Sequence, residues 1–318
     1  MLSRVADSLY WMSRYLERAE HNARVLDLQL HLMLELAPEM AERSWMRLLD
    51  SLVVEPPSGP CDPYSLTHLL TFDARNANSI VACVSSAREN ARHVREQISS
   101  EMWEHVNRLS LQARTVTLDA IWNDQPHEFL RSVKEGCHLF QGITDSTMTH
   151  GEGWQFIQIG RAVERAAATA QLLKSHYAAY PHIDSHARVS EDFVEWIGLL
   201  KSCTAFEAYC KVYTADLRPD RIAEFLVLNP DFPHSIRFAV NSLSAALQAV
   251  TQMTESKRAK SVNRLGGRLR AALDYGQIDE IMVSGLHKYL DAVLVQAEAI
   301  HDAIYEAYIW YPIDELVM

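Results

Sequence analysis

Several things are scarce in this chain of 318 residues. Five cysteines (Cys61, Cys83, Cys137, Cys203, Cys210) are odd in number and form no CxxC pair. That pattern excludes a disulfide framework and the usual zinc-ribbon spacing. No apolar run approaches the ~18 residues of a membrane span; stretches such as FLVL and SIVACV are of core size only. The opening MLSRVADSLYW has an acid at Asp7 and no apolar stretch after it, so no secretory signal is expected. Reduced thiols in a cytoplasm are the expectation. Neither GxxxxGK[ST] nor GxGxxG occurs, so a Gly-rich nucleotide loop is excluded and no cofactor is indicated. Positive charge is in deficit, with a formal net charge of −11. General affinity for nucleic acid or anionic lipid is therefore not expected.

What is present is helix. At 48% hydrophobic and 22% charged, the composition is that of a globular chain with a large core. Proline and glycine fall between long periodic segments. Residues 53–63, VVEPPSGPCDP, hold four Pro and one Gly and read as a loop. Pro126, Pro181, Pro219, Pro230 and Pro233 sit at or near starts of periodic runs. The first run has Val5, Leu9, Met12, Leu16, Ala19, Ala23, Leu26, Leu30 and Met33 on one stripe, spaced alternately four and three. Nothing alternates with period two between turn residues, so no strand is predicted. The expected helices are 3–36, 40–52, 64–71, 77–98, 100–122, 126–148, 154–179, 190–214, 219–228, 233–255, 258–275 and 277–309. Gly266 and Gly267 mark a break or a close contact. The fold class is all-α: a bundle of long antiparallel helices. It forms one domain, with halves 1–150 and 151–318 sharing a core in an internal pseudo-two-fold repeat.

One charged cluster is written twice. SLYWMSRYLERAEHNARVLD (8–27) and FIQIGRAVERAAATAQLLKS (156–175) both contain Arg-x-x-Glu-Arg-Ala. Shifted by 147, Arg14, Glu17 and Arg18 fall on Arg161, Glu164 and Arg165, and the apolar stripes superpose. Read singly, such a cluster is a weak surface pair worth about 0.2–0.5 kcal/mol. Two details point elsewhere. The arginines stand four apart, where like charges repel, and Trp11 and Tyr15 flank Arg14. Aromatics beside a guanidinium indicate a second, partly buried interface. A third cluster, ARENARHVRE (87–96), sets Arg88, Arg92 and Arg95 on one ridge with Glu89 in reach. Arg14, Arg18, Arg88, Arg92, Arg95, Arg161 and Arg165, seven arginines, stand against Glu17, Glu20, Glu89, Glu96 and Glu164, a surplus of two positive charges. Arginine suits bidentate capture of carboxylate or phosphate. The residues expected to bind an anion are Arg14, Glu17, Arg18, Asn22, Arg88, Glu89, Asn90, Arg92, Arg161, Glu164 and Arg165. The glutamates would orient the guanidiniums, and residues 88–92 would make a third wall. A purely structural salt-bridge network fits the same pattern.

These residues carry a resemblance. MLSRVADSLYWMSRYLERAEHNAR (1–24) resembles the opening of the alpha-E family, bacterial all-helical domains with a Glu-Arg motif. ARENARHVREQISSEMWEHVN (87–107), GWQFIQIGRAVERAAATA (153–170), FEAYCKVY (206–213), FPHSIRF (232–238) and NRLGGRLRAAL (263–273) agree with it. The motif falls on Glu17–Arg18 and Glu164–Arg165; in the second copy Thr169 and Gln171 replace Asn22 and Arg24. The resemblance implies association with circularly permuted ATP-grasp ligases and transglutaminase-like peptidases, and so a peptide-forming or peptide-tagging system. It implies no activity for the domain itself. The expectation is an accessory module that binds a peptide carboxylate or a phosphorylated intermediate. An enzyme with Glu17 or Glu164 as general base, and a scaffold for ligase and peptidase, are the alternatives.

The other patterns are weaker. His182-x-x-x-His186 follows Pro181 in an expected loop and lacks a third ligand, so no metal is expected. Cys203 and Cys210 read as two core thiols on one helix face. Cys137 and His138 are adjacent and point apart, which disfavours a nucleophile pair. KRAKSVNRLGGRLR (257–270) reads as a solvated basic face, or as a docking surface for an acidic partner. FPHSIRF places His234 and Ser235 in the first turn of a helix.

Overall fold

The computed structural model describes residues 1–33, 38–57, 59, 62–124, 126–180, 193–214, 216–254 and 259–309. They form fifteen α-helices, and no strand occurs among them. In order these are α1 (Ser3–Leu32), α2 (Pro38–Ser51), α3 (Pro63–Thr71), α4 (Ile80–His93), α5 (Ser100–Thr115), α6 (Leu118–Asp124), α7 (Pro126–Thr147) and α8 (Glu152–Ala178). Then come α9 (Phe193–Ser202), α10 (Phe206–Tyr213), α11 (Pro219–Leu228), α12 (Ile236–Thr254), α13 (Ala259–Asp274), α14 (Ile278–Ser284) and α15 (Leu286–Ile304). A π-helical turn, Tyr305–Ile309, ends the described chain.

The packing follows one order twice. α1, α4, α5 and α7 close a ring, each packed on the next; α8, α12, α13 and α15 close another. The rings meet where α1 packs on α8. α1 has neither Gly nor Pro before Pro38, so its stripe runs unbroken for 30 residues. It is buried on both sides: Leu9, Met12, Leu16, Ala19, Ala23 and Leu26 on the stripe, and Glu17, Glu20, His21, Asn22 and Arg24 beyond it.

Gly160 sets the α1–α8 crossing. A Cβ there would lie 2.2 Å from Ser13 Oγ and 2.3 Å from the Tyr10 carbonyl oxygen. Only the missing side chain permits that approach. Ser13 and Gly160 are related by the same 147-residue shift as the arginines.

Local chemistry explains the helix starts. Asp62 caps α3 by accepting from Ser65 N at 2.9 Å, with Pro63 next. Ser235 Oγ accepts from Phe238 N at 3.0 Å, so α12 begins at Ile236. His234 and Ser235 therefore precede that helix rather than fill its first turn.

Three expected helices are broken. Extended Val116 divides 100–122 into α5 and α6. Thr204, left-handed at φ 52°, divides α9 from α10. Gly285, at φ 100°, divides α14 from α15. Consequently buried Cys203 and half-buried Cys210 do not share one helix. α13 by contrast runs through Gly266 and Gly267, and Gly266 serves close contact: its Cβ would stand 3.1 Å from Leu247 Cδ1. Within the basic stretch Lys260, Arg264 and Arg268 are exposed. Lys257, Arg258, His182 and His186 lie outside the described residues.

Candidate functional site

The two Arg-x-x-Glu-Arg turns meet at the crossing and exchange partners. Glu164 of α8 takes both arginines of the α1 turn. Arg14 Nε donates to its Oε2 at 2.8 Å, and Arg18 donates through Nε to Oε1 at 2.6 Å and through Nη2 to Oε2 at 3.1 Å. In return Glu17 of α1 takes Arg165 of α8, Nε to Oε1 at 2.5 Å and Nη2 to Oε2 at 3.0 Å. Gln141 Nε2 adds a contact to Glu17 at 3.4 Å.

The exchange is unequal in one respect. Arg161, which the shift relates to Arg14, has no carboxylate partner among the described residues and donates there to Gln158, three positions before it. Burial, then the charge of Arg165, push its pKa down. It borders a void of about 10 Å³ beside Glu17 and Gln141, room for one water at most.

On the other flank of α1 lies a larger cavity of about 240 Å³, walled by Arg14, Arg18, His21, Asn22, Glu164 and Gln171. Asn78, in the turn before α4, closes one side. Its Oδ1 accepts from Arg18 Nη1 at 2.8 Å, and its carbonyl accepts from Asn22 Nδ2 at 2.7 Å. Leu52 and Val53 form a corner of the cavity. Val53 holds a positive φ of 53°, strained for a β-branched residue and of a kind that clusters at functional sites.

Aromatic residues hold the arginines from behind. The Arg14 guanidinium lies 4.7 Å from the Trp11 ring centre and 5.5 Å from that of Tyr10; Arg18 lies 5.8 Å from Tyr15. Arg14 Nη1 donates to Tyr10 OH at 3.2 Å and faces His301 Nδ1 at 3.3 Å. Since a guanidinium only donates, His301 Nδ1 is the acceptor.

The electrostatics follow from burial. Burial alone would raise the pKa of Glu164, but the Arg18 and Arg14 guanidiniums overcome it and hold the carboxyl below its ordinary value. Two arginines sharing one carboxylate leave the wall one positive charge in surplus. His21 does not add to it: burial, then Arg24, press its pKa down to about 4. Its Nε2 is buried without a hydrogen-bond partner among the described residues, and a group left so costs about 1–3 kcal/mol. Below His21, Arg24 forks onto Glu20 at 2.9 and 3.0 Å and donates to the Ser202 carbonyl.

Of the expected residues, Arg14, Arg18, Asn22 and Glu164 share the cavity, while Glu17 and Arg165 face the opposite flank with Arg161. The third wall is not where it was expected. Arg88 bonds Asn107 Oδ1 at 3.0 Å, pairs with Glu89 and covers Trp103; Arg92 pairs with Glu89 at 2.8 Å; Asn90 bonds the Ser86 carbonyl. These contacts stay on α4 and α5, because that ridge of α4 faces α5. α4 ends at His93, yet Arg95 beyond it lies over the same Trp103 ring, 5.4 Å from its centre. The sequence missed Asn78 and His301, which distant segments bring in, and Tyr10, which stands one turn before Arg14 on α1 itself. It placed Gln171 where the first copy has Arg24 but did not count it among the binding residues.

Comparison with known proteins agrees with this reading of the helices. Uncharacterised proteins of Mycobacterium bovis and Mycobacterium tuberculosis are 22% identical over 322 aligned residues, which cover 93% of this chain but 35% of theirs. The chain thus spans about a third of the length of these relatives. No solved structure matches it. The family described as "a predicted alpha-helical domain with a conserved ER motif" matches residues 1–309. Glu17–Arg18 and Glu164–Arg165 are pairs of the kind that description names, and with nearly the whole length matched the chain belongs to the Alpha-E family.

Proposed function

We propose that this protein is the ligand-binding accessory module of an ATP-grasp-linked peptide synthesis or modification system. Its ligand is a small anion, a peptide carboxylate or a phosphorylated intermediate, taken up beside Arg14 and Arg18. The observation that carries the reading is the cavity of about 240 Å³ whose wall has two guanidiniums and one carboxylate. Its surplus charge sits where aromatic rings and Asn78 already hold the donors in place, so little ordering remains to be done on binding. The partners, a circularly permuted ATP-grasp ligase and a transglutaminase-like peptidase, are proposed from the family resemblance. That the relatives are about three times as long is in keeping with a module working beside other domains.

A general-base role fits less well. A base needs a pKa near the working pH, and the two arginines drive Glu164 the other way. Membrane insertion finds no support, since no helix among the described residues is long and apolar enough to cross a bilayer.

A thermal-shift series with dipeptides, phosphorylated acids and nucleotides tests the reading. A ligand at 100 times its Kd stabilises the fold by about 2.7 kcal/mol. The shift should shrink in Arg14→Lys, which keeps the charge and loses the fork. No shift with any anion, together with co-elution with the ligase, would favour the scaffold.

A further inference from the structure

The last turn of α1 and the first turn of α7 meet away from the arginine cavity. Asp27 and His31 stand four apart on α1 and share a face. His127, the second residue of α7, comes against them from across the groove. His127 Nδ1 lies 2.6 Å from Asp27 Oδ1, and His31 Nδ1 lies 3.8 Å from the same oxygen. The two imidazole centres are 3.7 Å apart. One ligand-capable atom from each of the three residues falls within 4.8 Å of the others. Around a tetrahedral ion with bonds of ~2.0–2.2 Å, neighbouring donor atoms stand roughly 3.3–3.5 Å apart. The three side chains stand near that scale, and the rings must draw in to close around an ion.

Their hydrogen bonds prepare them for coordination. A carbonyl oxygen only accepts, so His31 Nδ1, 2.8 Å from the Asp27 carbonyl, carries the ring proton. In the neutral ring Nε2 then keeps its lone pair and is the nitrogen His31 offers to an ion, while Nδ1, the atom 3.8 Å from Asp27 Oδ1, stays with the backbone. A backbone-anchored Nδ1–H is the common support of a metal-ligating histidine. Lys134 Nζ donates to Asp27 Oδ2 at 2.5 Å, which fixes the carboxylate and leaves Oδ1 to the imidazoles. Asp27 and His31 also line a groove of about 780 Å³, so a fourth position opens to solvent.

We infer that Asp27, His31 and His127 form a binding site for a divalent ion of the zinc class. Two imidazoles and one carboxylate suit Zn²⁺ or Co²⁺; Mg²⁺ and Ca²⁺ prefer oxygen alone. The ion takes the place of the proton between His127 Nδ1 and Asp27 Oδ1; a neutral ring moves that proton to Nε2 through solvent, and an imidazolium keeps its Nε2 proton and releases the other. The ammonium of Lys134 on the same carboxylate keeps the affinity moderate. The site is separate from the arginine cavity, so either can fail without the other.

Titration of the whole protein with Co²⁺, after chelator treatment, tests the assignment through the visible absorption of the bound ion and its displacement by Zn²⁺. With fourteen histidines in the chain, the variants decide. His31→Asn and His127→Asn should each weaken one-to-one binding by at least about tenfold. His138→Asn, in the same groove but outside the trio, should leave it unchanged. His31 and His127 are part-exposed, so circular dichroism should show folded variants. Absence of saturable binding up to about 100 µM ion, or equal binding by the His31 and His127 variants, would overturn the inference.

Discussion

Arg18 reaches Glu164 across 146 positions of chain and grips it at two points, Nε on Oε1 and Nη2 on Oε2. With Arg14 on the same carboxylate, and Glu17 gripping Arg165 in return, the α1–α8 crossing is tied by charges that neither helix could neutralise alone. Such buried pairs add little net stability when intact, because desolvation offsets the attraction. Their weight shows when one member is removed.

Glu164→Gln leaves Arg14 and Arg18 facing each other without a carboxylate. The expected loss is about 3–5 kcal/mol of unfolding free energy by urea titration. Glu89→Gln strips Arg88 and Arg92 in the same way, but that pair is open to solvent. It should cost no more than about 1 kcal/mol. Equal losses in the two variants would contradict the buried exchange.

Gly160→Ala forces a methyl into the Tyr10 backbone and Ser13. Backbone cannot rotate away, so the helices must part, at a cost of about 1–3 kcal/mol or more. The two ion exchanges should loosen with them, reducing any ligand-induced thermal shift. Gly267→Ala is the control. It lies inside α13 with nothing near its absent Cβ, and should gain about 0.5–1 kcal/mol.

Acid should weaken the protein before its carboxylates titrate. His21 has a folded pKa of about 4, set by burial and then Arg24, against Glu20 and Glu164, which act in the other direction. In the unfolded chain it titrates near about 6.5. Between those values the unfolded state binds more protons, so stability is complete above about pH 6.5 and is lost as pH falls toward 4. The effect of this one group is of the order of 3 kcal/mol. His234, lowered by burial and then by Arg24 and Arg165, acts in the same sense. Melting temperature should fall across this window, and less steeply in His21→Gln. Glu164 and Glu20, also lowered in the fold, lose their contribution only further into acid.

The stripe of α1 and the doubled Arg-x-x-Glu-Arg were legible because both are periodic within one helix. That the two turns would share a dry interior was legible as a conjecture, from the aromatics beside Arg14 and the like charges four apart. Which helix each face meets was not. Arg88, Glu89 and Arg92 carry the same local signal as Arg14, Glu17 and Arg18, yet their ridge turns toward Asn107 and Trp103. The breaks at Thr204 and Gly285 were hidden for a different reason. The apolar spacing continues across them, and only the backbone angle reveals the turn. His127 gave no sign of meeting Asp27, from which it is separated by 100 residues.

The exchange at the crossing has a consequence for how the chain is made. α1 leaves the ribosome well before Glu164 exists, carrying two guanidiniums with no counterion and Glu17 with no Arg165. Until α8 is synthesised, that face of α1 lacks its ion-pair partners and stays in water. Order of synthesis thus delays the joining of the two four-helix rings, which the charge exchange completes only when α8 arrives.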